Sequence, residues 1–329
     1  MMRRYHAAPG LEPHDIDNRG ITFDQVREGC WNPTARLADM DINGVAASLC
    51  FPNYSRFAGQ LFLNGRDKDL ALLCVEAYNN WMVEEWAGSS GGRLIPLCMV
   101  PLWDVELAAA EVRRNAARSV RAVAFSELPP WIGLPSIHSG YWNPFFEACQ
   151  ETETIICMHI GSGTKMVQSS PDSPAAIQGT LIFVNSCTSL LDYLHSDVLT
   201  RYPTLKLFFA ECQIGWIPYV LERADDVWRT HRWSSGESGR DEPPSARYRD
   251  RIFSCFFKDA VGVELIERVG VDQTMFETDY PHADGTWPNS QKIAEETFRG
   301  ISDEIVEKVM RTNAIKLFGL DAKRIGLAY

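Results

Sequence analysis

Three ionisable residues stand where short apolar runs stop. His159 ends Ile155-Ile156-Cys157-Met158, Glu211 ends Leu207-Phe208-Phe209-Ala210, and Asp279 lies just past Met275-Phe276. An imidazole and two carboxylates sharing one rim suit a hard-to-borderline divalent cation such as Zn²⁺ or Mn²⁺. Each has an ordinary alternative when taken alone. A strand-end histidine is commonly a hydrogen-bonded structural residue, Glu211 can pair with Arg223, and Asp279 can form a turn ahead of Pro281. As a set at one rim, the functional reading is the better one. His282 follows Pro281 and is a candidate substrate-binding group at the mouth. Arg56, in Asn53-Tyr54-Ser55-Arg56-Phe57, is a candidate carboxylate anchor, because a guanidinium fork pairs two oxygens at once. A solvated loop arginine has the same appearance. Lys165, after His159, is a weaker counterpart. His6, His14, His138, His195 and His231 fall in loops or on helices and are assigned no role.

These positions need elements to hold them. An apolar run bounded by glycine, as at 154–162, reads as a buried strand ending in a turn. Similar strands are expected at 44–52, 93–103, 120–126, 205–211, 252–259 and 273–282. Helical patterns fall between them, at 36–43, 67–86, 105–118, 144–152, 180–200, 214–229, 260–269 and 303–311. Asp104 is placed as an N-cap, Asn143-Pro144 as a cap followed by proline at the first helical position, and Ser302 as a cap before two acids. Residues 1–30 are polar and without period, and are expected to be irregular. Residues 233–249, rich in Ser, Gly and Pro, read as an exposed loop insertion, not a domain linker. Loops 163–178 and 233–249 are expected to shape the substrate site.

Buried strands alternating with helices imply a parallel sheet in one domain spanning residues 1–329. A (β/α)8 TIM-type barrel needs eight such units, and seven are countable here. An open doubly wound sheet normally carries a G-x-G-x-x-G turn, and none follows any strand. The barrel is therefore the expectation, with one strand unaccounted for. The net charge of −11 argues against nucleic acid or an anionic membrane surface as partner, while leaving a small anionic substrate open. The nine cysteines are scattered with no C-x-x-C, which fits reduced core thiols in a cytoplasmic protein. The N-terminus has no apolar signal-like run, and no uninterrupted stretch of about 18 apolar residues suggests a membrane span.

The stretches Cys157-Met158-His159-Ile160-Gly161-Ser162-Gly163, 208–225 and 275–288 resemble the amidohydrolase superfamily, in the branch of aminocarboxymuconate-semialdehyde and resorcylate-type decarboxylases. The early part at 29–52 is also similar, so the resemblance runs from about residue 29 to the C-terminus. It implies a metal-dependent (β/α)8 barrel holding one divalent ion, Zn or Mn. His159 matches the strand-five metal histidine, and Asp279 the strand-eight aspartate that ligates metal and takes part in proton transfer. Glu211 stands where many members carry a strand-six histidine. The first-strand His-x-His, or its Glu-x-His and Asp-x-His variants, has no counterpart before residue 44, so the chain is expected to lack the first β unit and to bind metal less tightly. The implied activity is decarboxylation of an aromatic or unsaturated carboxylic acid, with Asp279 and Glu211 catalytic and Arg56 and His282 on the substrate. Metal-dependent hydrolysis of an amide, ester or lactone is the alternative, and a catalytically impaired barrel is a second. A homodimer or homotetramer is the expected assembly.

Overall fold

Apolar segments become parallel strands when both of their faces can be covered. The computed structural model describes residues 2–17 and 19–327 and shows this for each expected run. A short antiparallel pair, β1 (Met2–Arg3) with β2 (Gly20–Ile21), comes first. The parallel strands follow as β3 (Ser48–Leu49), β4 (Leu94–Ile95), β5 (Leu97–Cys98), β6 (Ala122–Phe125), β7 (Ile155–His159), β8 (Leu207–Ala210), β9 (Ile252–Phe256) and β10 (Thr274–Phe276). β3 pairs with β4, and β5 to β10 form one parallel ladder in chain order. Only Pro96, which has no N–H to give a ladder, separates β4 from β5. The molecule is thus a (β/α)8 barrel with seven strands identifiable. Among the described residues no strand bridges β3 and β10. The segment expected to be irregular instead contributes β1, β2 and several 3-10 turns.

Alternation sorts the strand side chains into two cores. Ala124, Cys157, Phe208 and Phe253 occupy matched register positions and pack inside the barrel with Leu97, Met99 and Cys255. Phe125, Ile156, Met158, Leu207, Phe209 and Phe256 face outward against Trp142, Phe145, Phe146 and Tyr193 of the helices. In β7 the inward set is Ile155, Cys157 and therefore His159, which reaches the rim. The nine cysteines are all free, as the scattered pattern suggested. No helix among the described residues is long and apolar enough to cross a membrane.

Two carboxylates, the half-buried Asp259 and the buried Glu127, fix the loops at the carboxyl ends of the strands. Asp259 accepts hydrogen bonds from the backbone N–H groups of Ile214, Gly215 and Gly262, at 2.7, 2.7 and 2.8 Å. It thereby ties the loop after Glu211 to the start of helix Ala260–Glu264. Glu127, after β6, accepts from Ser186 Oγ at 3.1 Å and from Asn185 Nδ2 and Gly163 N–H at 3.4 Å. It links the loop after His159 to helix Phe183–His195.

Three local expectations need correction. Asp104 does cap helix Val105–Ala116. Asn143, however, is the first residue of helix Asn143–Glu151, not its cap, and Ser302 makes no side-chain cap bond. The insertion at 233–249 is only partly exposed. Trp233 stands in solvent, but Glu237 is buried against His195 at 2.7 Å, and Arg240 bonds the His195 and Ser196 carbonyls. Ion pairing to the helix below holds a stretch whose composition reads as free loop.

Both carboxylate ties can be tested. Asp259→Ala leaves three backbone donors unsatisfied and should cost about 2–4 kcal/mol in urea unfolding at constant m. Burial raises Glu127 from 4.5 to about 7 against its hydrogen bonds from Gly163 and Ser186. A folded pKa above the unfolded one means that stability is lost as pH rises from about 4.5 through 7. Glu127→Gln should escape that loss. Relative to the parent it should gain roughly 3 kcal/mol between pH 4 and pH 8, read from paired unfolding curves.

Candidate metal centre

His159 reaches the rim with its ring already constrained. Phe57 stacks on it at 3.7 Å and 7°, and Phe51 meets it edge-on at 4.9 Å. Its Nδ1 lies 2.8 Å from the Ile160 carbonyl oxygen, which only accepts, so Nδ1 carries the proton. Nε2 then faces Glu211 Oε2 at 3.0 Å. A bare Nε2 and a bare carboxylate would meet lone pair to lone pair. A shared proton or a cation resolves that contact.

Glu211 reaches this position by a backbone device. Phe208 and Ala210 point inward along β8, so simple alternation sends Glu211 outward. Its φ of 60° breaks the alternation and turns the side chain into the barrel. A non-glycine residue there is strained, and such strain persists where surrounding contacts impose it. Burial works to raise the Glu211 carboxyl, but the charge and hydrogen bond of His159 outweigh it and hold the group below its ordinary range.

Asp279 also has a positive φ, 49°. Its Oδ1 accepts from His282 Nδ1 at 2.8 Å, while Oδ2 is buried with no hydrogen-bond partner. Burial raises the Asp279 carboxyl, and the nearby Glu211 charge adds to this against the hydrogen bond from His282. For His282, burial works downward, but bonding to Asp279 wins and raises it. Glu211, Asp279 and His282 bring one ligand atom each to within 4.8 Å of one another, and His159 joins them through Glu211. Oxygen and imidazole donors around an orphaned carboxylate oxygen fit a divalent ion of the Zn²⁺ or Mn²⁺ kind. Glu211 does not pair with Arg223, which binds Asp226 instead.

His159, Glu211, Asp279 and His282 all line one cavity of about 1020 Å³. Arg56 and Lys165 do not. Arg56, at φ 61°, lies in the turn after β3 and ends in solvent, and Lys165 is exposed. Loops 163–178 and 233–249 contribute none of the lining either. The walls come from residues 43–57, 78–86 and 290–318 instead.

The cavity also contains residues that the sequence left without a role. His6 lies 6.2 Å ring to ring from His282. The N-terminal segment reaches the mouth through Ala8 N–H to the Pro281 carbonyl, 3.0 Å, and Tyr5 Oη to Asp284, 2.9 Å. Those contacts span nearly the whole chain, so no local pattern signals them. Phe57, Arg36 and the half-buried Glu277 were missed for the same reason.

Comparison with known proteins agrees with this geometry. The family described as Amidohydrolase matches residues 5–320. Gamma-resorcylate decarboxylase of Rhizobium sp. (strain MTP-10005) is 24% identical over 278 residues, covering 78% of this chain and 79% of that protein. Among solved structures, 5-carboxyvanillate decarboxylase from Novosphingobium aromaticivorans, complexed with manganese and 4-hydroxy-3-methoxy-5-nitrobenzoic acid, superposes with a TM-score of 0.71 at 18% identity. That match covers 87% of this chain and 79% of the other. Dihydroxybenzoic acid decarboxylase from Polaromonas sp. JS666, with bound manganese and 2-nitroresorcinol, gives 0.67 at 18% identity, covering 89% and 87%. A match to nearly the full length, a barrel shared with these structures and a polar cluster at the strand ends agree on one conclusion: the chain belongs to the amidohydrolase family.

Proposed function

We propose that this protein is a metal-dependent carboxy-lyase that removes CO₂ from an aromatic or unsaturated carboxylic acid. The observation that carries the reading is the buried Oδ2 of Asp279, without a hydrogen-bond partner among the described residues, on a residue lining a cavity rich in aromatic side chains. The relatives support it, since their names describe decarboxylases of hydroxylated aromatic acids. His159, Asp279 and Glu211 would hold one divalent ion, with manganese favoured by the relatives and zinc equally suited to the donors. When bound, such an ion supplies Lewis-acid polarisation of a substrate oxygen.

The chain's own residues do the rest. Phe51 and Phe57 hold the His159 ring and offer an apolar face to a planar substrate. His282 orients Asp279 through Oδ1, leaving Oδ2 for the ion. Decarboxylation leaves the electron pair of the broken C–C bond on the substrate carbon, and that carbon must take a proton as CO₂ departs. The Asp279–His282 pair, hydrogen-bonded at 2.8 Å, is placed to relay that proton. Glu211, held ionised by its contact with His159 at 3.0 Å, supplies negative charge to the ion site. Nine free cysteines support a cytoplasmic setting.

Two measurements test this. Carbon dioxide release from a panel of hydroxybenzoates should exceed hydrolysis of a matched panel of lactones and amides. Hydrolysis without CO₂ release would replace the lyase with a hydrolase. Purified protein reconstituted with Mn²⁺ should carry near-stoichiometric metal by elemental analysis, and Asp279→Asn should lower the retained metal by about tenfold or more while the fold persists. Equal metal in both proteins would remove Asp279 from the site.

A further inference from the structure

Arg36 is a buried cation without an anion. It sits in helix Pro33–Ile42, is 6% exposed, and lines the same cavity as Asp279 and His282. Among the described residues its guanidinium makes one hydrogen bond, from Nε to the Gly29 carbonyl at 2.8 Å, and no carboxylate lies within 4.0 Å. The neighbouring carboxylate is already engaged. Asp39 accepts from Arg27 Nε at 2.7 Å and Nη2 at 2.5 Å, and from Tyr280 Oη at 2.5 Å. Two arginines therefore lie near one carboxylate that pairs only with Arg27, and the surplus positive charge belongs to Arg36.

Arginine is rarely buried unless paired, and a guanidinium does not relieve the cost by losing its proton. The rings around it supply only part of the compensation. Its Cζ lies 4.1 Å from the centroid of Tyr280 and 5.7 Å from that of Trp86. Cation–π contacts of this kind contribute about 0.5–2 kcal/mol each, less than a buried charge needs. The packing is nonetheless built to hold the group in place. A Cβ on Gly29 would collide with the Asp39 carboxylate and the Tyr280 hydroxyl, so the chain passes close enough for the Gly29 carbonyl to fix Nε. The remaining fork, Nη1 and Nη2, is left for a planar two-oxygen partner. Tyr280, which backs the fork, directly follows Asp279.

We propose that Arg36 is the carboxylate anchor of this cavity, the role that the exposed Arg56 does not fill. It takes the carboxylate of a planar organic acid, with Trp31, Phe51 and Trp86 around the hydrocarbon part. The assignment deepens the lyase reading by naming the residue that recognises the acid, and it rests on that reading only for which acid is natural.

Equilibrium binding measured by calorimetry on the purified full-length protein tests it, with benzoate as probe and benzamide as its uncharged counterpart. The parent protein should bind benzoate at least about tenfold more tightly than benzamide. Arg36→Gln should lose that preference, with benzamide binding unchanged, and Arg36→Lys should keep part of it. Two results would overturn the proposal: equal affinity of the parent for the two probes, including no detectable binding of either, or an Arg36→Gln protein that retains the benzoate preference. If the variants do not fold by circular dichroism, the two-probe comparison on the parent still decides. Turnover is not read, so a protein that binds benzoate through Arg36 yet releases no CO₂ would remove the lyase reading and leave the anchor standing.

Discussion

The contact between His159 Nε2 and Glu211 Oε2, 3.0 Å across adjacent strands, is the constraint around which the site is arranged. Neither group is stable in the barrel interior alone, because an unpaired buried charge costs several kcal/mol. Their meeting demands that Glu211 leave the outward position that strand alternation assigns to it. The left-handed backbone at Glu211 does this, at a cost of about 1–2 kcal/mol. Gln213, two residues on, is left-handed as well, and Asp259 then captures the next two N–H groups. The turn is strained at one end and tied down at the other. A carboxylate outside the cavity lining therefore helps to set where the chemical carboxylate points.

The same logic runs through the opposite wall. Burial pushes Asp279 toward its neutral form and His282 toward neutrality as well, yet their hydrogen bond favours the charged pair. Glu277, half-buried near Glu211, is raised well above its ordinary range by desolvation and then by that neighbour's charge. Three carboxyls and two imidazoles thus share a small low-dielectric region in which only some can be charged at once. A cation, or protons that can move, is the physical answer to that crowding. The rest of the cavity is lined mostly by aromatic and aliphatic side chains, with scattered polar groups such as Ser48, Gln291 and Glu295 among them.

Much of this was legible in the sequence. Each of the seven apolar runs became a strand, since uniform hydrophobicity leaves little choice but burial on both faces. Their order alone gave a parallel sheet, and the carboxyl ends of the strands identified His159, Glu211, Asp279 and His282 as neighbours. Arg56 is exposed and outside the cavity lining, in a loop where sequence has no period to constrain direction. Its left-handed backbone sends it to solvent, whereas Arg36, hidden in a helical pattern, points into the cavity. The stretch 233–249 looked free because Ser, Gly and Pro dominate it, and the pairing of Glu237 with His195 lies outside any local window.

The amino-acid sequence by itself determined the strands, their parallel arrangement and the type of chemistry available at the rim, because hydrophobic periodicity and residue type act locally. Only the tertiary structure decided which of those residues meet at the rim. It also decided that the N-terminal segment brings His6 to the mouth, and that Arg36 is buried without an ion-pair partner among the described residues. Those outcomes depend on positive backbone angles and on contacts between segments as much as 279 residues apart, where no pattern in the chain carries the information.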